Sequence, residues 1–138
     1  MELKLSLDKN LNILFIDNNI EINKTKVLKI NYDINMHKYS KKDISKCVNN
    51  NIEDICKNNQ KYILLLDCIN MKNENFDLIK LKYIVNNINE SLNNYIYKCI
   101  IYNYNDTHKM IINMILLLID DENREKVIFK KTFSDFIK

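Results

Sequence analysis

Few residues in this chain of 138 have the type and spacing to do chemistry. Its two histidines, His37 and His108, have no second histidine one helical turn away and no carboxylate motif around them. Metal ligation and general-base catalysis both need such company, so each reads as an exposed or capping side chain. The four cysteines, Cys47, Cys56, Cys68 and Cys99, show no Cys-x-x-Cys spacing. They read as small buried hydrophobes in a reducing compartment rather than as a metal site. A dinucleotide or phosphate loop needs glycine so that main chain can approach the anion, and glycine is absent. Asp67 ends an apolar run, the place where open α/β sheets put ligands and catalytic acids. Aspartate also opens loops, and that plainer role is the favoured one. Asp120 and Asp121 read as ending one element and capping the next. No catalytic constellation, cofactor or metal set emerges, and the chain is expected not to be an enzyme.

Composition narrows the classes further. The net charge of +3 arises from interspersed lysines and acids, without the steep basic excess or clustered arginine of a nucleic-acid binder. Glycine, proline and tryptophan are missing, while asparagine, isoleucine and lysine dominate. That bias fits an AT-rich genome, such as that of a large DNA virus or a parasite, and leaves turns to Asn and Asp. The opening residues MELKLSLDKN alternate instead of forming an apolar leader core. The longest apolar run, Met110–Ile119, is too short for a bilayer, which takes about 20 residues. A soluble protein is expected, cytoplasmic in location, or in the host cytoplasm if the source is viral.

The elements that must position these residues follow from periodicity. Tyr62–Leu66, bounded by Lys61 and Asp67, reads as a central strand buried on both faces, with helices above and below. Residues 1–35 alternate with a period of two: Leu3, Leu5 and Leu7, then Leu11–Ile16, a turn at Asp17-Asn18-Asn19, then Ile20 and Ile22, and a further strand over Val27–Tyr32. This is an antiparallel meander. From Ser40 the period becomes helical, with Ser40 and Asp43 as a capping box and Ile44, Cys47, Val48, Ile52, Ile55 and Cys56 on one face. A second helix starts near Asn75 and runs to Leu92, Ile96–Tyr102 form a strand, and Asn105 or Asp106 caps a third helix over Thr107–Ile119. Val127-Ile128-Phe129 give a last strand and Phe133–Ile137 a final helical turn. Residues 1–138 thus form one domain, α/β in class. The meander precedes an α-β-α-β-α-β core over residues 40–138, a mixed sheet with largely parallel strands and helical crossovers.

The third helix stands apart because it is apolar nearly all round from Met110 onward. Such a helix is either fully buried or covers a lipid, a partner or a second copy. Its two methionines suit a loosely shaped apolar ligand or an adaptable interface.

From Lys61 to Lys131 the chain resembles the CRAL-TRIO lipid-binding domain, the fold of phosphatidylinositol transfer proteins and of retinaldehyde- and tocopherol-binding proteins. Leu64-Leu65-Leu66-Asp67 match the family's apolar strand ending in Asp. Cys99-Ile100-Ile101-Tyr102-Asn103 match its second strand, Ile119-Asp120 its Leu-Asp step, and Glu122–Phe129 the segment whose Lys leads into an Ile-Phe strand. STAS domains share the strand–helix rhythm but account less well for Asp120–Phe129. The resemblance implies a gate helix, here Thr107–Ile119, over an apolar cavity floored by the sheet. Leu65 and Ile101 would then line the floor, Met110, Met114, Leu117 and Leu118 the gate, and Lys126 would meet a headgroup phosphate. An acidic partner for that lysine would fall near Asn94, which is not acidic. The expected function is non-enzymatic binding or transfer of a phospholipid or similar hydrophobic ligand, with transient contact to a membrane surface and no nucleic acid. The alternative is a protein–protein interaction scaffold, with a homodimer or another protein as partner, that kept the fold and lost the cavity.

Overall fold

The structure, a computed structural model, describes residues 13–30, 38–49, 52–57, 59–69, 71, 78–117 and 121–132. The expected strand at Leu3–Leu7, the start of the second helix at Asn75, Leu118, and the final turn at Phe133–Ile137 lie outside them. Five strands form one sheet in sequence order: β1 (Leu14–Ile22), β2 (Thr25–Ile30), β3 (Tyr62–Asp67), β4 (Ile96–Tyr102) and β5 (Val127–Phe129). β1 and β2 are antiparallel, and β2, β3, β4 and β5 run parallel. This is the mixed α/β arrangement that the periodicity predicts.

The hairpin differs from expectation in one place. Asp17-Asn18-Asn19 does not turn the chain; the ladder shifts register between Asp17 and Glu21 and β1 continues through it as a bulge. Asp17 Oδ1 accepts the Asn19 N–H at 3.0 Å, a local bond that satisfies the main chain without reversing it. The turn falls at Asn23-Lys24, both at positive φ (51° and 65°), as a two-residue type I′ loop requires. With no glycine available, the left-handed positions go to Asn at every described site except Lys24.

Helices α1 (Lys41–Asn49), α2 (Ile52–Lys57), α3 (Leu78–Leu92), α4 (Asp106–Leu116) and α5 (Asp121–Arg124) link the strands, and a 3-10 turn at Asn93–Tyr95 follows α3. Of the single helix expected from Ser40, the described residues show two helical stretches, Lys41–Asn49 and Ile52–Lys57. Ser40 caps α1 as predicted: its Oγ accepts the Asp43 N–H at 3.1 Å.

Sequential parallel strands with right-handed crossovers put their helices on one side of a sheet. The core shows that outcome. Leu28, Ile30, Tyr62, Leu64, Leu66 and Ile101 are buried in one cluster with Ile44 and Ile55 of the first two helices, Leu81 and Ile84 of α3, and Ile112 and Ile115 of α4. Alternate strand residues face the other way: Ile22, Val27, Ile63, Leu65, Ile100 and Tyr102 form a second buried cluster, to which no described helix contributes. β3 is therefore central and buried on both faces, but the described helices lie on one side of it only. Of the helices expected above and below, the described residues place those on one side.

Candidate functional site

Where α3 and α4 meet the sheet, the packing leaves an apolar crevice of about 90 Å³. Each element contributes by its own periodicity. Leu64 and Leu66 of β3 and Ile101 of β4 form the floor, with Ile30 beside them. Leu81, Val85 and Ile88 come from the buried stripe of α3, and Ile112, Ile115 and Leu116 from the inner face of α4. Cys99 also faces it, and Asn89, Asn93, Asn123 and Lys126 supply the polar rim.

Lys126 is held at that rim. Its Nζ donates to the Asn93 carbonyl at 3.0 Å, at the point where α3 passes into the 3-10 turn. A cation there satisfies a carbonyl at the helix end and meets the negative end of the dipole. The residue type near Asn94 is not acidic, and a main-chain carbonyl is what the ammonium bonds. An ammonium carries three donors, and this bond uses one.

α4 is anchored at its N-terminus by a residue that the sequence reading set aside. Asn105 is the cap: its side chain accepts the His108 N–H at 2.8 Å, and its own N–H donates to His108 Nδ1 at 3.2 Å. Since Nδ1 accepts, the proton of the neutral ring sits on Nε2, which donates to the Met71 carbonyl. His108 is buried, capping as expected but not exposed. It ties α4 to the segment that follows β3. The signal was present as Asn105-x-x-His108, a capping-box spacing with histidine in the place usually held by Glu or Gln.

The expected ligand residues divide. Ile101 and Lys126 line the crevice. Leu65 belongs to the cluster on the opposite face of the sheet, because strand side chains alternate and Leu64 and Leu66 take the near side. Met110, Met114 and Leu117 are 59%, 55% and 70% exposed. They lie on the outer face of α4, one or two turns apart, while Ile112, Ile115 and Leu116 face in. The crevice residues that sequence reasoning missed therefore alternate with those it chose.

The polar residues near the strand ends serve the fold. Asp67 Oδ1 accepts Asn103 Nδ2 at 2.9 Å and the Ile69 N–H at 3.0 Å, bridging the ends of β3 and β4 and opening the loop. Burial, with Asp67 adding to it, pushes the Cys68 thiol up to about 12. Burial, with Cys68 adding to it, does the same to Cys99, also about 12. Both thiols stay protonated at neutral pH, whereas the thiolate is the nucleophile. Among the described residues, no group of three or more His, Cys, Asp or Glu is placed to hold a metal. Nor is any described helix long and apolar enough to cross a membrane.

No family model and no curated protein sequence matches the chain. The crystal structure of Sfh5 is similar to it, with a TM-score of 0.51 over 85% of this chain and 14% sequence identity. The alignment takes in 46% of Sfh5, so the chain spans less than half the length of that protein. At this identity the likeness is one of fold, and the fold is CRAL-TRIO-like.

Proposed function

We propose that the chain is a non-enzymatic binder of a hydrophobic ligand, a phospholipid or a similar amphiphile, held in the crevice between α3, α4 and the sheet. The observation that carries this reading is an almost wholly apolar recess whose rim presents one ammonium, Lys126, among asparagines. An aliphatic chain fits such a lining at about 0.8 kcal/mol per buried CH₂, and Lys126 pairs with an anionic head at the mouth. The likeness of the fold to CRAL-TRIO domains supports the same class of ligand. The volume sets a condition. Pockets for drug-sized ligands run to about 300–1,000 Å³, so the crevice as it stands takes the end of one chain. A whole lipid requires α4 to move outward, away from α3, against which it packs lightly.

Purified chain incubated with fluorescent phospholipid vesicles, then separated from them and weighed by native mass spectrometry, is expected to carry one lipid. A mass of protein alone after incubation, with no fluorescence transferred, refutes the reading. One observation favours the scaffold alternative instead, namely the outward set of Met110, Met114 and Leu117. It predicts an unchanged lipid-free mass together with a protein contact on that face.

A further inference from the structure

The crevice is polarised along the direction of the strands. Leu64, Cys99 and Val127 lie abreast on its floor, and two residues further along Ile30, Leu66 and Ile101 lie abreast in turn. Among the described residues, no strand position beyond that second row lines it. The polar residues gather at the opposite end. Asn89 is in the last turn of α3, Asn93 in the 3-10 turn before β4, Asn123 in α5, and Lys126 directly before β5. The parallel strands therefore run from a polar mouth toward an apolar far end. An amphiphile enters such a recess tail first and keeps its head at Lys126.

The length, width and charge of the recess each bear on its ligand. Ile101 pairs with Phe129, so the row of Ile101 lies about 10 Å along the strand direction from Lys126, at about 3.3 Å per residue. A zigzag of carbon–carbon bonds of about 1.5 Å advances about 1.25 Å per methylene, and about eight carbons span that distance. The width admits one chain. An apolar cavity of about 150 Å³ takes a benzene ring, so about 90 Å³ is room for roughly four carbons before α4 shifts. Completing one tail asks for a small displacement of α4, and seating two tails asks for several times as much. The charge is single as well. Lys126 is the one charged side chain lining the crevice among the described residues, and one of its three donors is spent on the Asn93 carbonyl. Glu122 and Glu125 lie on the same segment. One ammonium with two donors left, set among carboxamides, matches a singly negative head with two acceptor oxygens. A multiply charged phosphate would stand uncompensated beside those acids.

We propose that the crevice prefers one unbranched chain of about eight to ten carbons ending in a carboxylate, a medium-chain fatty acid, over a diacyl phospholipid. This assignment rests on the reading of the crevice as a ligand site and names the class of ligand it favours. The carboxylate accepts from Lys126 Nζ at the mouth, and the tail lies over Leu64, Cys99 and Val127 to end against Ile30, Leu66 and Ile101. A shorter chain leaves the far end empty. A longer one meets that end row and gains nothing from its extra carbons. Affinity therefore climbs with chain length and then levels.

Isothermal titration calorimetry of the full chain with straight-chain carboxylates from butanoate to dodecanoate, kept below micelle formation, tests this. Each added pair of methylenes should tighten binding about tenfold until about eight to ten carbons are reached, with less than about a twofold change beyond. In native mass spectra of the chain incubated with decanoate and dioleoylphosphatidylcholine vesicles together, the decanoate adduct should predominate. Lys126→Met keeps the aliphatic stem and removes the charge. It should weaken decanoate about tenfold and decyl alcohol by less than about twofold. Equal loss with both ligands marks a purely structural effect and overturns the assignment of the head to Lys126. Affinity indifferent to chain length, or still climbing steeply at dodecanoate, overturns the slot. Uptake of the phospholipid without the carboxylate overturns this inference and leaves the proposed function standing, whereas uptake of neither removes both.

Discussion

Filling the crevice tests whether it is an open recess maintained against the packing tendency of the core. A void in a protein interior costs about 24 cal/mol per Å³, so about 90 Å³ holds back about 2 kcal/mol of stability. Val85 lines the space from α3 and is half-buried, and Val85→Phe directs a ring into it. In a packed core the same exchange would force side chains off their rotamers and cost about 1–3 kcal/mol. Into this recess it is expected to recover about 1 kcal/mol, because a planar ring fills only part of the space. A gain of that size moves the melting temperature up by about 2–8 °C for chains in this range of length. The assay is thermal unfolding by circular dichroism, with and without phospholipid vesicles. Lipid should raise the midpoint of the unsubstituted chain by mass action and leave that of Val85→Phe where it is. A midpoint that falls by several degrees, with lipid uptake unchanged, would show that residue 85 faces a filled interior and that any ligand binds elsewhere.

The two faces of α4 should respond differently: Ile112→Ala is expected to cost about 2–5 kcal/mol in denaturant unfolding, as a buried aliphatic does, while Met114→Ser stays within about 0.5 kcal/mol. His108→Leu removes one half of a capping box and strands the Met71 carbonyl; a loss of about 1–3 kcal/mol is expected, with faster amide exchange confined to the first turn of α4. Alkaline pH should weaken the fold progressively. Burial raises Cys68 and Cys99 from 9.0, and Tyr102 from 10.0, each to about 12, so the folded chain keeps protons that the unfolded chain releases. This contribution is complete below about pH 9 and declines toward pH 12. Cys99→Val should flatten the midpoint–pH curve measured across that interval.

How far the sequence could be read depended on which physical signal each segment carried. Ile96–Tyr102 was legible to the residue, and Tyr62–Leu66 to within one, Asp67 being the last strand residue and not the bound, because an apolar run between polar residues admits one reading in an α/β layer. Ser40 and Asn105 announced their helices through short polar side chains at cap positions. The hairpin was misplaced because Asp17-Asn18-Asn19 and Asn23-Lys24 carry nearly the same turn chemistry. A chain without glycine has nothing to mark the position that needs two positive φ angles. The face of the sheet was harder still. Leu64, Leu65 and Leu66 are the same residue three times over, so composition cannot tell which of them turns toward the helices. Only the register of β3 between β2 and β4 does.

The same ambiguity governs α4, where Met110-Ile111-Ile112-Asn113-Met114-Ile115-Leu116-Leu117 offers no polar stripe to mark the outside. The structure resolves it through the cap. Asn105 and His108 fix the rotation of the first turn by tying it to the Met71 carbonyl, and 3.6 residues per turn carries that setting forward. Ile112, Ile115 and Leu116 then follow His108 onto the inner face, leaving Met110, Met114 and Leu117 outside. The apolarity that looked like one property is two: an inner face that bounds the crevice and an outer face beside the β5 edge. A rotation of α4 by about half a turn would exchange them. The buried histidine is the residue that sets which aliphatic side chains line the crevice and which stay on the outer face.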